Sequence, residues 1–349
     1  MLRVGPESAG AEPGPACYGH GGDVATVTDA DLLLGYLDAE NFAGGTLSLD
    51  RAAAEAAIKK IADPLDISLI EAAAGIVKIA EFQMADLIRK VTIQKGFDPR
   101  DFVLFAFGGA GPVHAGVFAR ELGVAKVIVP QRETASVWCA FGAAAADVLH
   151  VHERVNMMRS PFDVAEVTGL LGELDTHARA ELAADDIPPA RQRLRFSLDM
   201  RHKGQINEVE VEIAGPLLTE ADLPGLHEAF VTRYERLYGQ GASLPGARLE
   251  IVTYRCRAAA DTAKPRLTRS ENLSAIIDSG AKRPARPVFW SESSETMDTP
   301  VFEGEKLVPG NSVAGPAIVE TADTTVVVHP GQTLAVDAFG NFELSLEAV

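Results

Sequence analysis

Residues 107–115, FGGAGPVHA, have the types and spacing best suited to chemistry. An apolar run leads into three glycines, and a helical segment opened by Pro112 follows. Glycine lacks a Cβ, so the backbone of such a loop can come close to a ligand. The free N–H groups at the start of the next helix, and its dipole, favour an anion. Pro112 suits the first helical turn, where its missing N–H costs nothing. Gly108, Gly109, Ala110 and Gly111 therefore form a candidate nucleotide loop. His114, in the first helical turn, either contacts the same ligand or caps the packing of helix on sheet. The loop is not the dinucleotide fingerprint, because His114 stands where G-x-G-x-x-G needs its third glycine. It is not a Walker loop either, since no Gly-Lys-Ser/Thr follows. A tight turn kept only for packing remains the alternative.

Other polar residues carry weaker signals. The Gly/Pro-dense stretch 5–31 holds Glu7, Ser8, Cys17, His20, Asp29 and Asp31. Cys17 and His20 have the spacing of a metal pair but lack two further ligands at suitable distance. Asp29 reads as a helix N-cap. His150 and His152 would share one side of a strand, as metal ligands or as a solvated face. Cys139, beside Trp138, reads as core. The basic tract MRHKGQ (200–205) is an interface element or a hairpin turn. No Ser-His-Asp or Cys-His arrangement can be assembled, so no catalytic residue is assigned.

The elements that must position the loop follow from pattern. Residues 29–37 suggest a short helix opening at Thr28 or Asp29. Residues 49–62 are Ala-rich and helical, with Ser48 as cap and Pro64 as stop. Ser68 and Glu71 form a capping box before a long helix striped by Ile70, Ala73, Val77, Met84, Leu87 and Val91, which Gly96 ends. DFVLFAF (101–107) reads as a buried strand, residues 112–123 as a helix and KVIVP (126–130) as a second strand. Together they make a βαβ unit with a parallel sheet. Residues 140–149 suggest another helix of small residues. After a helix from Pro161 to Ala184, alternating patterns at 193–204, 206–213, 247–259 and 324–331 predict a half-exposed, largely antiparallel sheet, interrupted by one helix from Asp222. Residues 261–285 read as a connection. The fold class is α/β to about residue 150, then β-rich from 151 to 349.

Composition bounds the function. The 349 residues allow two or three domains, and 47% hydrophobic residues suffice for a core. Lys+Arg is 32 against 49 Asp+Glu, a formal net charge of −17, which argues against nucleic-acid partners. A local phosphate site held by backbone is still compatible with it. Three scattered cysteines fit a reducing cytoplasm rather than a disulfide framework. No apolar run reaches the ~18 residues that span a membrane.

Several tracts resemble the hydantoinase A/oxoprolinase family: RVGPESAGAEPGPACYGHGG with TVTDADLLLGYL, IRKVTIQKGFDPRDFVLFAFGGAGPVHA, DMRHKGQINEVEVEI, and VPGNSVAGPAIVETADTTVVVHPG. They lie in family order over nearly the whole chain. The resemblance implies part of an actin-like (ASKHA, ribonuclease H-like) ATPase lobe in residues 1–150 and the family's β-rich C-terminal domain in 151–349. It implies ATP with Mg2+, and a nucleotide contact at Gly108, Gly109, Ala110 and Gly111, with His114 beside them. The family's two D-x-G-G-T phosphate loops lie upstream of RVGPESAGA in full-length members, and this chain carries neither.

The resemblance thus suggests a split subunit whose partner is an N-terminal-half hydantoinase A-type chain. A hydantoinase B-type subunit and a small ketone or lactam substrate would complete the reaction in the cytoplasm. The stretch 131–150 departs from the family at Trp138 and Cys139. A larger apolar pocket there tilts the expectation towards acetone- or acetophenone-type carboxylation over lactam, hydantoin or 5-oxoproline hydrolysis. A non-catalytic structural subunit or a fragment are further alternatives.

Overall fold

A computed structural model describes residues 2–130 and 134–346. In chain order the helices and strands are α1 (Val27–Leu34), α2 (Arg51–Leu65), α3 (Leu69–Gln94), β1 (Leu104–Phe105), α4 (Gly111–Leu122), β2 (Lys126–Val129), α5 (Trp138–Ala145), β3 (Val148–Arg159), α6 (Val164–Ala184), β4 (Gln192–His202), β5 (Val209–Ile213), α7 (Leu223–Tyr238), β6 (Leu249–Ala260), β7 (Lys282–Trp290), β8 (Glu295–Glu303), β9 (Ser312–Ala314), β10 (Ala317–Glu320), β11 (Thr325–Val328), β12 (Thr333–Val336) and β13 (Phe342–Ser345). They form two compact units: Met1–Phe141 with Arg266–Val349, and Gly142–Pro265. The packing therefore does not divide at residue 150. The last strands return to the first unit, and the β-rich stretch 151–349 is shared between the two.

In the first unit one sheet has the order β1-β2-β13-β12-β9. Only β1 and β2 are parallel in it; β13 pairs with β2 antiparallel. The expected βαβ unit is present, but β1 is two residues long and lies at the sheet edge. A second sheet runs β11-β10-β8-β7. Phe118 and Leu122 of α4 pack with Val127, Val328, Phe342 and Leu344. Leu32, Ile58 and Ile76 of the first three helices pack with Trp290, Ile318 and Val327. Trp290 is fully buried, and its indole N–H donates to the Thr299 hydroxyl at 3.0 Å, so its one polar atom is satisfied. Gly35 ends α1 at φ +84°, and a Cβ there would lie 2.3 Å from the Pro287 carbonyl oxygen. Both constraints demand glycine where α1 meets β7.

Helix boundaries follow capping chemistry. Thr26, not Thr28 or Asp29, caps α1; Asp29 is the third helical residue and completes a capping box. Asp50, not Ser48, caps α2 through the Ala53 N–H at 2.9 Å. Pro64 lies inside α2, which ends at Asp66 in a left-handed conformation. The Ser68/Glu71 capping box opens α3 as expected.

The second unit is one antiparallel sheet, β3-β6-β4-β5. Leu171 and Leu182 of α6 and Phe230 of α7 pack with Leu198, Met200 and Tyr254 of the strands. Residues alternating with these carry paired charges, such as Arg255 with Asp199 and Arg257 with Glu210. This is the half-exposed sheet that the alternating patterns at 193–204, 206–213 and 247–259 predict; the fourth tract, 324–331, instead forms the buried β11 in the second sheet of the first unit.

Candidate functional site

The glycine loop leaves the sheet where the Ala106 N–H donates to the Ile128 carbonyl at 2.9 Å. Gly108 then adopts φ +83°, a left-handed conformation that glycine enters without strain. Its N–H donates to the Ala135 carbonyl at 2.8 Å, and its own carbonyl accepts from the Thr324 hydroxyl at 2.8 Å. Asp323, next in chain to Thr324, binds the Ser136 hydroxyl. The loop is thus held on both sides by segments distant in sequence. A Cβ at Gly108 or Gly111 would meet open space, so neighbouring atoms do not force a glycine at either place. Gly111 opens α4, and Ala110 caps it without a side-chain hydrogen bond. Pro112 has no N–H and the Val113 N–H donates to the Ala110 carbonyl at 3.1 Å, so the first turn offers an external acceptor the Gly111 N–H at most.

His114 does not face that open space. It is 3% exposed, and its ring lies between two buried carboxylates. Nε2 is 3.4 Å from Asp31 Oδ2 and Nδ1 is 3.4 Å from Glu81 Oε1. Burial alone would lower its pKa, but the Asp31 and Glu81 charges and hydrogen bonds outweigh burial and raise it to about 10. His114 is a buried imidazolium joining α1, α3 and α4. The expectation that it contacts the nucleotide is corrected to the packing role.

Beside the loop lies a cavity of about 310 Å3. Its walls include Tyr18, Asp31, Phe42, Gly109, Ala110 and Val113, with Asp38 and Asp323 also in the lining. Glu320, a further wall residue, is neutralised by Arg283 and Arg286 and accepts from Asn41. The sequence reading missed Glu81, Asp323 and Thr324. Glu81 had a signal, a charge one residue past Ala80 on an apolar stripe. The other two had none without the fold.

The remaining candidates do not join this site. Asp29 is fully buried and accepts from the N–H groups of Cys17 at 2.8 Å and Ala16 at 3.2 Å, pinning the Gly/Pro loop. Cys17 is buried, with burial first and then Asp29 pushing its thiol pKa well up, while His20 is exposed. His150 and His152 face α6, where Glu181 and Asp185 pair with them at 2.6–3.3 Å. Among the described residues no group of three His, Cys, Asp or Glu side chains is arranged to hold a metal. His202 of MRHKGQ is buried edge-on against Phe230 and Tyr234, and burial lowers its pKa.

Cys139 is exposed rather than core, and Trp138 stacks on Phe141 at 4.6 Å and on Phe105 at 6.5 Å. Phe105 is 48% exposed, as Phe102 and Val103 are to similar extents. The buried strand expected at 101–107 is therefore a half-exposed edge. Residues 131–133 of the divergent stretch lie outside the described residues.

The fold and loop define a mixed α/β chain with a partial actin-like lobe and a β-rich part. The Hydantoinase/oxoprolinase family model matches residues 1–152, and its Hydantoinase/oxoprolinase C-terminal domain matches residues 162–346. The chain belongs to the hydantoinase/oxoprolinase family. It is 36% identical to the caprolactamase subunit alpha of Pseudomonas jessenii, over 99% of this chain and 50% of that one. It is 36% identical to the acetophenone carboxylase gamma subunit of Aromatoleum aromaticum, over 97% of this chain and 47% of that one. The crystal structure of the ATP-dependent caprolactamase superposes with TM-score 0.86 at 35% identity, over 99% of this chain and 50% of that one. Nucleotide-free acetone carboxylase superposes with TM-score 0.74 at 31% identity, over 100% of this chain and 50% of that one. The chain spans about half the length of the curated relatives it matches. No helix among the described residues is long and apolar enough to cross a membrane.

Proposed function

We propose that this chain supplies the nucleoside side of an ATP site in a family enzyme that phosphorylates an amide or enolate oxygen. The observation that carries the reading is the glycine loop at the start of α4, where a Cβ at Gly108 or Gly111 would meet open space. Gly108, Gly109, Ala110 and Gly111 offer backbone there to a nucleotide. Phosphoryl transfer depends on positioning and on charge stabilisation around Mg2+. In this reading the phosphate loops and the Mg2+ carboxylates come from an N-terminal-half hydantoinase A-type chain. The open β1 edge, with Phe102, Phe105 and Trp138 exposed or half-exposed, supports such a partner. A hydantoinase B-type subunit would complete the reaction in the cytoplasm.

A ketone carboxylase complex is the first reading for the substrate, because the Trp138–Phe141 stack adds apolar surface that a ketone fits. The closer superposition on caprolactamase, TM-score 0.86 against 0.74, favours lactam hydrolysis as the second. The test is Mg-ATP turnover by the chain alone and by its reconstituted complex. Turnover only in the complex, stimulated by acetone or acetophenone, is expected. Stimulation by caprolactam or 5-oxoproline selects the second reading. Substantial turnover by the chain alone overturns the split site, and absence of any ADP affinity leaves a structural subunit.

A further inference from the structure

We infer that Asp323 and Ser136 are positioning residues for the glycine loop. They hold Thr324 and Ala135 against it, and this turns the Gly109 and Ala110 N–H groups outward. The inference rests on the nucleotide reading of the loop and adds which residues give the loop its binding shape.

Hydrogen bonds close a ring through three segments distant in sequence. The Gly108 N–H donates to the Ala135 carbonyl at 2.8 Å. The hydroxyl of Ser136, next in chain, donates to Asp323 Oδ2, and the Ser136 N–H lies 3.4 Å from the same oxygen. Asp323 Oδ1 accepts from the Thr321 hydroxyl at 3.1 Å, and Thr321 Oγ1 accepts from the Thr324 N–H at 3.1 Å. The Thr324 hydroxyl returns to the Gly108 carbonyl at 2.8 Å. Asp323 is where the two arms of the ring meet. Ala135, Thr321 and Thr324 are buried, which strengthens their links by keeping water out.

Peptide geometry carries the ring's effect to the ligand. In a trans peptide the carbonyl and the N–H point in opposite directions, and neither loop peptide is cis. With the Gly108 carbonyl held to Thr324, the Gly109 N–H points away from that turn. The Gly109 carbonyl lies 3.4 Å from the same hydroxyl, which directs the Ala110 N–H the same way. Gly109 and Ala110 are exposed, and among the described residues neither N–H has an acceptor. Successive N–H groups aimed to one side suit an anion. The loop does not hold this shape unaided, because glycine at φ +83° enters other conformations as readily.

Ser136→Ala cuts one arm at an exposed position. Titration calorimetry of the purified chain with ADP should show binding weakened about three- to tenfold, the worth of one hydrogen bond. Asp323→Ala should weaken it at least as much. The double variant should bind no worse than Asp323→Ala, because Ser136 acts only through that carboxylate. Ser136→Thr keeps a hydroxyl and should restore the affinity. Amide exchange at Gly108 should quicken in Ser136→Ala while the urea midpoint stays in place.

Unchanged ADP affinity in both single variants overturns the inference and leaves the nucleotide reading standing. Losses that add in the double variant overturn it, as do affinity losses that merely follow the urea midpoint from variant to variant. No ADP affinity in the unaltered chain sinks both ideas.

Discussion

The Thr324 hydroxyl donates to the Gly108 carbonyl at 2.8 Å across 216 positions of sequence. The same hydroxyl also reaches the Gly109 carbonyl at 3.4 Å. The turn between β10 and β11 therefore holds the loop on which the nucleotide reading depends.

Thr324→Val keeps the volume and removes this bond. A stability loss of about 1 kcal/mol is expected, read from urea unfolding. Amide exchange at Gly108 and Gly109 should rise, and ADP affinity should fall more than stability does.

Asp29 gathers the N–H groups of Ala16, Cys17 and Thr26 and the Thr26 hydroxyl on one buried carboxylate. Asp29→Ala leaves several buried donors unpaired and removes half of the α1 capping box. A loss of about 2–4 kcal/mol should follow in chemical denaturation. Glu71→Ala, at the exposed capping box of α3, should cost only about 1 kcal/mol.

His114 has a folded pKa of about 10, above the ordinary 6.5. Its two carboxylate contacts therefore contribute stability that is fully present below about pH 6.5 and is lost as pH rises through about 10. Unfolding free energy should fall over that window by an amount on the order of a few kcal/mol. His114→Gln should flatten this alkaline slope. An unchanged slope in the variant would assign the pH dependence elsewhere.

The three cysteines should separate by accessibility. Cys139 is exposed, while Cys17 and Cys256 are buried, and burial pushes the Cys256 thiol up to about 11. One thiol should react quickly with a disulfide reagent in the native protein, and three in denaturant. Fast reaction of a second native thiol would contradict the packing around Asp29 or in the sheet of the second unit.

Phe105→Lys tests the open edge. Because Phe105 is half-exposed, folding stability should change by no more than about 0.5 kcal/mol. Binding of a hydrophobic dye should drop, and association with the proposed N-terminal-half chain should weaken at least tenfold. Unimpaired assembly would place the partner elsewhere.

Local chemistry was legible in the residues. The Ser68/Glu71 box, the glycine turn into α4 and the first half of the α3 stripe depend on neighbours within a few positions and stand in the structure, whereas Leu87 and Val91 at the far end of the stripe are exposed. The family followed from the tracts that contain them, since the match covers residues 1–152 and 162–346. The strands β7 to β10, β12 and β13 were mostly not legible. β9, β10, β12 and β13 are only three or four residues long, and β13 is held by a strand from far back in the chain, Phe342 lying opposite Val129. DFVLFAF shows the opposite failure. Its composition is that of a strand covered on both faces, but its position at the sheet edge leaves Phe102, Val103 and Phe105 half-exposed.

By itself the sequence determined the glycine loop, the helix that opens at Gly111 and the capping that frames both, because these rest on backbone freedom and hydrogen bonds within one turn. Only the tertiary structure decided what surrounds them. It turned His114 inward between Asp31 and Glu81, and it brought Thr324 to the loop. Those outcomes depend on which distant elements share a core, and burial with its loss of solvent then fixes each charge.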